Sequence, residues 1–324
     1  MSLPGEFDLI RRYFAPLAGP GALSLTDDAA VIEPRPGWSM VATVDTVLSG
    51  VHFLPQDPPD LVARKALRVN LSDLAAMGAE PLGYLLVTAL PPDTEESWLE
   101  RFTQGLALDQ AEFAISLLGG DTAATPGPLS VTITALGQVE AGRALLRSTA
   151  RRGDGVYVSG TLGDGAFGLK LAKGGGVRLR EGDRAFLLDR YRLPRPRVAL
   201  GRRLVGIATA AIDLSDGLAA DLGHVCEASG LGARIEGPRV PLSDAARAMI
   251  AIGEGSVTEA ITGGDDYELL FTAPPQAEPA LAQIAAKLDL PLTRLGALCK
   301  EPGVVALDDA GHTLPLGTGG YRHF

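Results

Sequence analysis

Aspartates recur at places where this chain is otherwise apolar and small. Asp27 and Asp28 precede AAVI, Asp45 interrupts VATV-D-TV, and Asp73 sits in NLSDLAAMGAEP. Asp121 follows the strand-like LLGG, Asp213 and Asp216 bracket the turn of AAIDLSDGL, and Asp265 and Asp266 lie in TGGDDYELLF. A carboxylate among buried apolar residues is costly unless it is paired, hydrogen-bonded or bound to a metal. Taken singly, each reads equally well as a helix cap or turn residue, and Asp216 could simply cap a helix starting at Gly217. Taken together they outnumber what the few lysines can neutralise. Oxygen donors without histidine or cysteine suit hard cations, above all Mg²⁺. Mg²⁺ is usually held by a few carboxylates together with substrate phosphates. The neighbouring glycines (Gly119, Gly120, Gly217, Gly263, Gly264) let backbone N–H groups approach a phosphate closely. The residues alone therefore point to Mg²⁺-dependent, phosphate-handling chemistry.

Two glycine motifs suggest other chemistry and fail on inspection. Gly163–Gly168 reads G-D-G-A-F-G after a strand pattern, but a dinucleotide fingerprint also needs an acid closing the next strand. Glu181 and Asp183 lie instead in a charged stretch with no strand pattern. The same segment lacks the Lys-Ser/Thr ending of a phosphate loop, since Leu169 follows Gly168. A glycine-rich turn entering a helix is the preferred reading.

The chain has 324 residues and a formal net charge of −10. The length suits two domains. The acidity argues against a broad nucleic-acid surface. Two cysteines, Cys226 and Cys299, make neither a disulfide framework nor a thiolate metal site, and four dispersed histidines make no zinc site. The N-terminus MSLPGEFDLI carries no signal-peptide pattern, and no apolar run is long enough to span a bilayer. A cytoplasmic protein without membrane partners is expected.

The elements that must position these acids alternate between helical and strand patterns. Helices are expected over Glu6–Phe14, Leu61–Met77 and Glu95–Ala111, and strands over Met40–Val47, Leu82–Ala89 and Ser130–Val139. Arginines at 143, 147, 151 and 152 mark a polar junction. Domains of 1–142 and 143–324 follow from it. Beyond the junction come a strand at Gly155–Ser159 and helices from Asp164, at Asp183–Tyr191 and at Pro196–Ile207. A strand at Ala210–Leu214, a helix from Gly217, a strand at Tyr267–Thr272 and a helix at Leu281–Leu288 complete the pattern. The mixture lacks strict βαβα alternation and favours two α+β domains over one doubly wound sheet.

These segments resemble the thiamine-monophosphate kinase family, within the superfamily that includes aminoimidazole-ribonucleotide synthetase. The resemblance runs through GEFDLI, LTDDAAVI, VDTVLSGVHF, ARKALRVNLSDLAAMGAEP, GGDT, RSTARRGDGVYVSG, IDLSDGLAADLGH and GGDDYELLF, in that order. It implies transfer of the γ-phosphoryl of ATP onto thiamine monophosphate, giving thiamine diphosphate and ADP. It also implies an N-terminal α+β domain that forms a homodimer and a mixed C-terminal domain that covers the nucleotide. Implied Mg²⁺ ligands are Asp28, Asp45, Asp73, Asp121 and Asp213, with Asp216 as a further contact and Thr43 and Val44 at metal-contacting positions. Val44 stands where relatives often carry a hydroxyl, so only its backbone carbonyl could serve. Gly120 and Asp121 would lie near the ATP phosphates, with Arg147 and Ser215 as further nucleotide contacts and Arg147 as charge stabiliser. His52 and Asp265 match acceptor-binding positions. Thr318 falls where relatives can place an aromatic against the substrate.

Both reactants would be polyanions, and bound Mg²⁺ explains how an acidic protein could hold them. The acceptor is itself a phosphate with a second pKa of about 6, by analogy with phosphoserine. It is mostly dianionic at neutral pH and needs no general base. No Ser-His or Cys-His nucleophile pattern is present, in keeping with direct in-line transfer. Selenophosphate synthetase would show a reactive cysteine near its N-terminus, and the hydrogenase-maturation relative a functional C-terminal cysteine; this chain has neither. Two alternatives stand: a synthetase of the same superfamily, and a non-catalytic nucleotide-binding module.

Overall fold

The computed structural model describes residues 5–175 and 178–316. The chain divides into two compact units at Gly142/Arg143, with the short stretch Ala75–Gly78 belonging to the second.

The first unit begins with α1 (Glu6–Leu9), which continues as a π-helical turn over Ile10–Phe14. It then runs β1 (Trp38–Leu48), α2 (Pro59–Ala76), β2 (Glu80–Leu90), α3 (Glu96–Phe113), β3 (Ser116–Ala124) and β4 (Ser130–Glu140). The strands form one sheet in the order β1-β4-β2-β3, antiparallel except for the β2–β3 pair. Alternation sorts the side chains. Val131, Ile133 and Ala135 of β4 and Leu86 of β2 are buried, as are Leu67, Leu71 and Leu74 of α2 and Leu99, Phe102 and Leu106 of α3. Met40, Val44, Leu85 and Val87 point to the other face and are 38–60% exposed. The guanidinium of Arg68 forks onto Asp109 of α3, both bonds 2.8 Å, and Arg64 adds a third at 2.8 Å. This buried bidentate pairing fixes α2, and with it Asp73.

The second unit contains β5 (Gly155–Ser159), α4 (Asp164–Ala172), α5 (Glu181–Arg192), α6 (Val198–Leu204), β6 (Ala210–Asp213), α7 (Leu218–Ser229) and β7 (Gly232–Glu236). It continues through α8 (Asp244–Ala251), α9 (Val257–Thr262), β8 (Leu269–Ala273), α10 (Glu278–Leu288), β9 (Leu292–Cys299) and β10 (Gly303–Leu307). Its sheet order is β10-β7-β9-β5-β8-β6. Strands β5, β6 and β8 are buried along their whole length. Val156, Val158 and Ile212 join Leu218, Leu222 and Val225 of α7 in one core cluster. Tyr157, Ala211 and Phe271 join Leu200 and Leu204 of α6 and Leu281 and Ile284 of α10 in another. Helices thus cover both sides of the strands that end at Asp213 and begin at Leu269.

Several sequence expectations need correction. Asp121 lies inside β3 rather than at its end. The helix expected over Pro196–Ile207 shortens to Val198–Leu204 and stops before Gly206, which has φ +81°. The strand expected from Tyr267 starts at Leu269, because Asp265 and Tyr267 adopt φ of +68° and +50°, which no strand accommodates. Strands β7, β9 and β10 and helices α8 and α9 were not legible at all.

Candidate active site

The densest predicted chemistry in the first unit is where α2 meets β1. Thr43 and Asp45 alternate on the same face of β1, and the Thr43 hydroxyl donates to Asp73 Oδ2 at 2.5 Å. Burial, the charge of Asp73 and a hydrogen bond with Asp73 together push the Asp45 carboxyl up to about 6. All of these influences on Asp45 act in the same direction, favouring its protonated form. An all-oxygen set of two carboxylates and a hydroxyl, strained by its own repulsion, fits a hard divalent cation. Val44 lies on the opposite face and is 60% exposed, so its side chain points away from this pair.

Asp28, Gly120 and Asp121 line a cavity of about 530 Å³. Its walls combine these polar groups with Ile10, Phe14, Leu25 and Ile32. The lining thus offers groups suited to phosphate and cation together with apolar walls suited to a ring. Gly120 has a structural reason to be glycine: a Cβ there would sit 1.8 Å from Leu86 O. The Asp121 carboxylate accepts from the Thr122 N–H at 2.8 Å and is exposed.

The sheet keeps these two acidic centres apart. Asp45 lies opposite Ile133, Ile133 opposite Leu86, and Leu86 beside Gly120. Asp121 follows Gly120, so it shares the face of Val87, opposite to that of Asp45. The two acids stand on the two edge strands, three strand spacings or roughly 14 Å apart. Within one copy of this unit they do not meet around a single ion.

In the second unit, two turns interlock. Asp213 ends β6 and is 3% exposed. Ser215 and Asp216 follow in the turn before α7. The Asp265 N–H donates to Ser215 O at 2.9 Å, and the Tyr267 N–H to Leu214 O at 2.8 Å. A Cβ on Gly264 would sit 2.1 Å from Ser215 O, so glycine is what allows this approach. The predicted nucleotide contact Ser215, the metal contact Asp216 and the acceptor contact Asp265 are therefore neighbours. Arg147 lies exposed on a 3₁₀ turn tied to α7 by the Ser229 hydroxyl donating to Arg147 O at 2.9 Å.

Sequence reasoning gave no role to five residues here: Asp221, His224, Asp266, Tyr267 and Glu268. Asp221, one turn into α7, accepts the Asp216 and Gly217 N–H groups on Oδ2, both at 3.1 Å, and so shapes the SDG turn. Burial and the Asp216 charge push it up to about 7, opposed in part by these bonds and by Arg147. Asp216, Asp221 and His224 have donor atoms within 4.8 Å of one another. Asp266 accepts from the Gly163 and Gly165 N–H groups at 2.7 and 3.1 Å. The glycine motif at 163–168 thus cradles the protein's own carboxylate, as an ordinary turn into α4. Glu268 is fully buried against Arg190, Arg197 and Ser159. Tyr267 donates its hydroxyl to Asp265 Oδ1 at 3.2 Å. The available signal was the i, i+4/i+5 spacing from the SDG turn and the acid repeat in DDYEL.

His52 is half-buried after β1 and accepts the Leu48 N–H on Nδ1 at 3.1 Å, which places its proton on Nε2. Thr318 lies outside the described residues.

Comparison with known proteins decides the family. Residues 26–139 match the AIR synthase related protein N-terminal domain, and residues 151–309 the corresponding C-terminal domain. A thiamine-monophosphate kinase from Caulobacter vibrioides is 45% identical over 309 residues, covering 94% of this chain and 86% of that one. The chain belongs to the thiamine-monophosphate kinase family. As a member it is a kinase, with two AIR-synthase-related domains. The crystal structure of the thiamine-monophosphate kinase of Stenotrophomonas maltophilia K279a superposes with a TM-score of 0.86 at 42% identity, covering 97% of this chain and 99% of that one. A structure of AaThiL complexed with AMPPCP and TMP gives a TM-score of 0.80 at 30% identity, covering 99% and 97%.

Proposed function

We propose that the chain transfers the γ-phosphoryl of ATP directly to the phosphate of thiamine monophosphate, with Mg²⁺, releasing thiamine diphosphate and ADP. The Asp45–Asp73 pair carries this reading. Two half-buried carboxylates, one of which raises the proton affinity of the other, are a poor device for stability and a good one for holding a cation between phosphates. The relative complexed with AMPPCP and TMP supports the choice of donor and acceptor.

Asp45, Asp73 and Thr43, together with Asp28, Asp121, Asp213 and Asp216, would hold Mg²⁺, with Val44 offering its backbone carbonyl. When bound, the ions supply charge neutralisation between the two polyanions. Gly120 and Asp121 meet the donor phosphates, and the apolar walls beside them receive the nucleoside. Ser215 and Arg147 make further donor contacts, Arg147 facing charge that builds on the transferred group. Asp265, His52 and Thr318 receive the acceptor. No residue acts as base or nucleophile, because the acceptor oxygen is already anionic. Catalysis rests on alignment and electrostatics.

The reading assigns donor and metal binding and dimerisation to residues 1–142, and completion of the nucleotide and acceptor sites to 143–324. It places the enzyme in the cytoplasm, where its nucleotide is found. A homodimer is favoured by the open apolar face of Met40, Val44, Leu85 and Val87 and by the separation of Asp45 from Asp121, which a second copy could bridge. Sedimentation should show twice the 33.7 kDa chain mass.

The deciding experiment supplies purified chain with ATP, Mg²⁺ and thiamine monophosphate. Thiamine diphosphate and ADP should appear one for one and only with Mg²⁺. ATP binding without thiamine diphosphate would keep the donor site and reject the acceptor.

A further inference from the structure

Tyr267 occupies a conformation that aromatic residues rarely adopt, with φ +50°, two residues after Asp265 at φ +68°. Left-handed backbone at two positions so close together persists only where the surroundings enforce it. Three anchors do so. Asp266, between them, is 3% exposed and turned inward onto the Gly163 and Gly165 N–H groups. The Asp265 and Tyr267 N–H groups are spent on Ser215 O and Leu214 O. Glu268, next along, is gripped by Arg190 and Arg197. Asp265 and Tyr267 remain half-buried on either side of this fixed point, and the phenol donates to Asp265 Oδ1 at 3.2 Å.

We propose that Tyr267 is a positioning residue for the acceptor: its hydroxyl fixes the orientation in which the Asp265 carboxylate accepts from the amine-bearing ring of thiamine monophosphate. This rests on the functional reading above. The bond spans two residues and ties no distant elements together. The buried acids Asp266 and Glu268 do the anchoring. With those anchors in place, removing the hydroxyl should disturb recognition more than the fold. A carboxylate held in one orientation binds an N–H donor without first losing its rotamer freedom, so the effect belongs to acceptor affinity.

The test uses the full chain, steady-state kinetics with each substrate varied, and calorimetric binding of thiamine monophosphate alone. Tyr267→Phe should raise KM and Kd for thiamine monophosphate about tenfold, as expected for losing a hydrogen bond to a charged group. Its kcat, its KM for ATP and its melting temperature should stay near those of wild type. Tyr267→His keeps a donor and accepts positive φ more readily, and should restore most of the affinity. In an Asp265→Ala background, adding Tyr267→Phe should change nothing further, since the tyrosine acts through the aspartate. An unchanged KM in Tyr267→Phe, a full-sized loss recurring in the Asp265→Ala background, or a loss that tracks melting temperature would each overturn the proposal. If Tyr267→Phe does not fold, a Tyr267→His variant that keeps most of the acceptor affinity at wild-type melting temperature supports it, and weak acceptor binding or a lost fold there overturns it. A wild-type chain that neither binds nor phosphorylates thiamine monophosphate overturns the functional reading, and this inference with it.

Discussion

Asp45 on β1 and Glu268 just before β8 are both carboxylates set among apolar strand residues, yet their surroundings are opposite. Glu268 accepts from Arg197 Nε at 2.6 Å, Arg190 Nη2 at 2.9 Å and the Ser159 hydroxyl at 2.6 Å. Its charge and lone pairs are satisfied from within the fold. Asp45 faces a second carboxylate, and its surroundings raise its proton affinity. The difference separates two uses of a buried acid. An acid completed by guanidinium groups fixes the chain, whereas one left short of positive charge waits for a ligand to supply it. Burial alone therefore says little about role until the partners are named.

The largest effect should come from breaking the unsatisfied side of this contrast. Asp45→Asn removes a ligand charge while keeping shape. We expect kcat/KM to fall by about 10²- to 10³-fold, the scale for losing a transition-state electrostatic contact. The melting temperature of the metal-free protein should hold or rise, because like-charge repulsion is relieved. Asp213→Asn should lose activity on a similar scale. Near wild-type turnover in both variants would remove the metal-ligand assignment.

Breaking the satisfied side should do the reverse. Glu268→Ala leaves Arg190 buried without its carboxylate, a mechanism that typically costs about 3–5 kcal/mol. For a domain of this size that is a drop of roughly 10 °C in melting temperature. Activity of the folded fraction measured at low temperature should survive far better than in Asp45→Asn. If Glu268→Ala melted like wild type, the distinction between anchoring and ligand-awaiting acids would collapse.

The same contrast explains what was legible in the sequence. An aspartate inside VATVDTV is visible as an anomaly, because strand alternation predicts its neighbours. The long helix carrying Asp73 was equally plain from its apolar stripe. What stayed hidden depended on tertiary partners. Nothing local to Asp266 reveals that it fills the Gly163–Gly165 turn, about a hundred residues earlier in the chain. Strand β7 (GARIE) alternates over only five residues, too few to distinguish from a loop. The separation of Asp45 from Asp121 needed the strand order, which pattern alone does not supply.

A smaller effect sharpens the account of the Asp45–Asp73 pair. Asp45 is held up to about 6 against an ordinary value of 3.8, so the folded protein binds this proton more tightly than the unfolded chain. Stability without metal should therefore decline as pH rises through that window, and the cost should persist above it. Mg²⁺ binds the ionised pair and should reverse the decline. The melting-temperature difference with and without Mg²⁺ should grow from pH 5 to pH 7.5, with saturating metal contributing about 2.7 kcal/mol at a hundred times its Kd. Calorimetry at several pH values checks this. A metal-induced shift that is flat with pH, or unchanged in Asp45→Asn, would place the ion elsewhere.

The smallest effect is expected one residue away. Val44 precedes Asp45 and stands at a position that the family resemblance implies to be metal-contacting. Strand alternation turns its side chain to the open face, away from Asp73, so a hydroxyl there would not reach the ion held by Asp45 and Asp73 in the same copy. Val44→Thr is close in shape and keeps the backbone carbonyl in place. The Mg²⁺ concentration for half-maximal rate should stay within about twofold of wild type, well under the tenfold that 1.4 kcal/mol of added binding would give. Tenfold tighter Mg²⁺ dependence would mean that the open face also meets metal. That outcome would tie the site to the apolar surface around Met40 and Val87 and require a second copy to complete it.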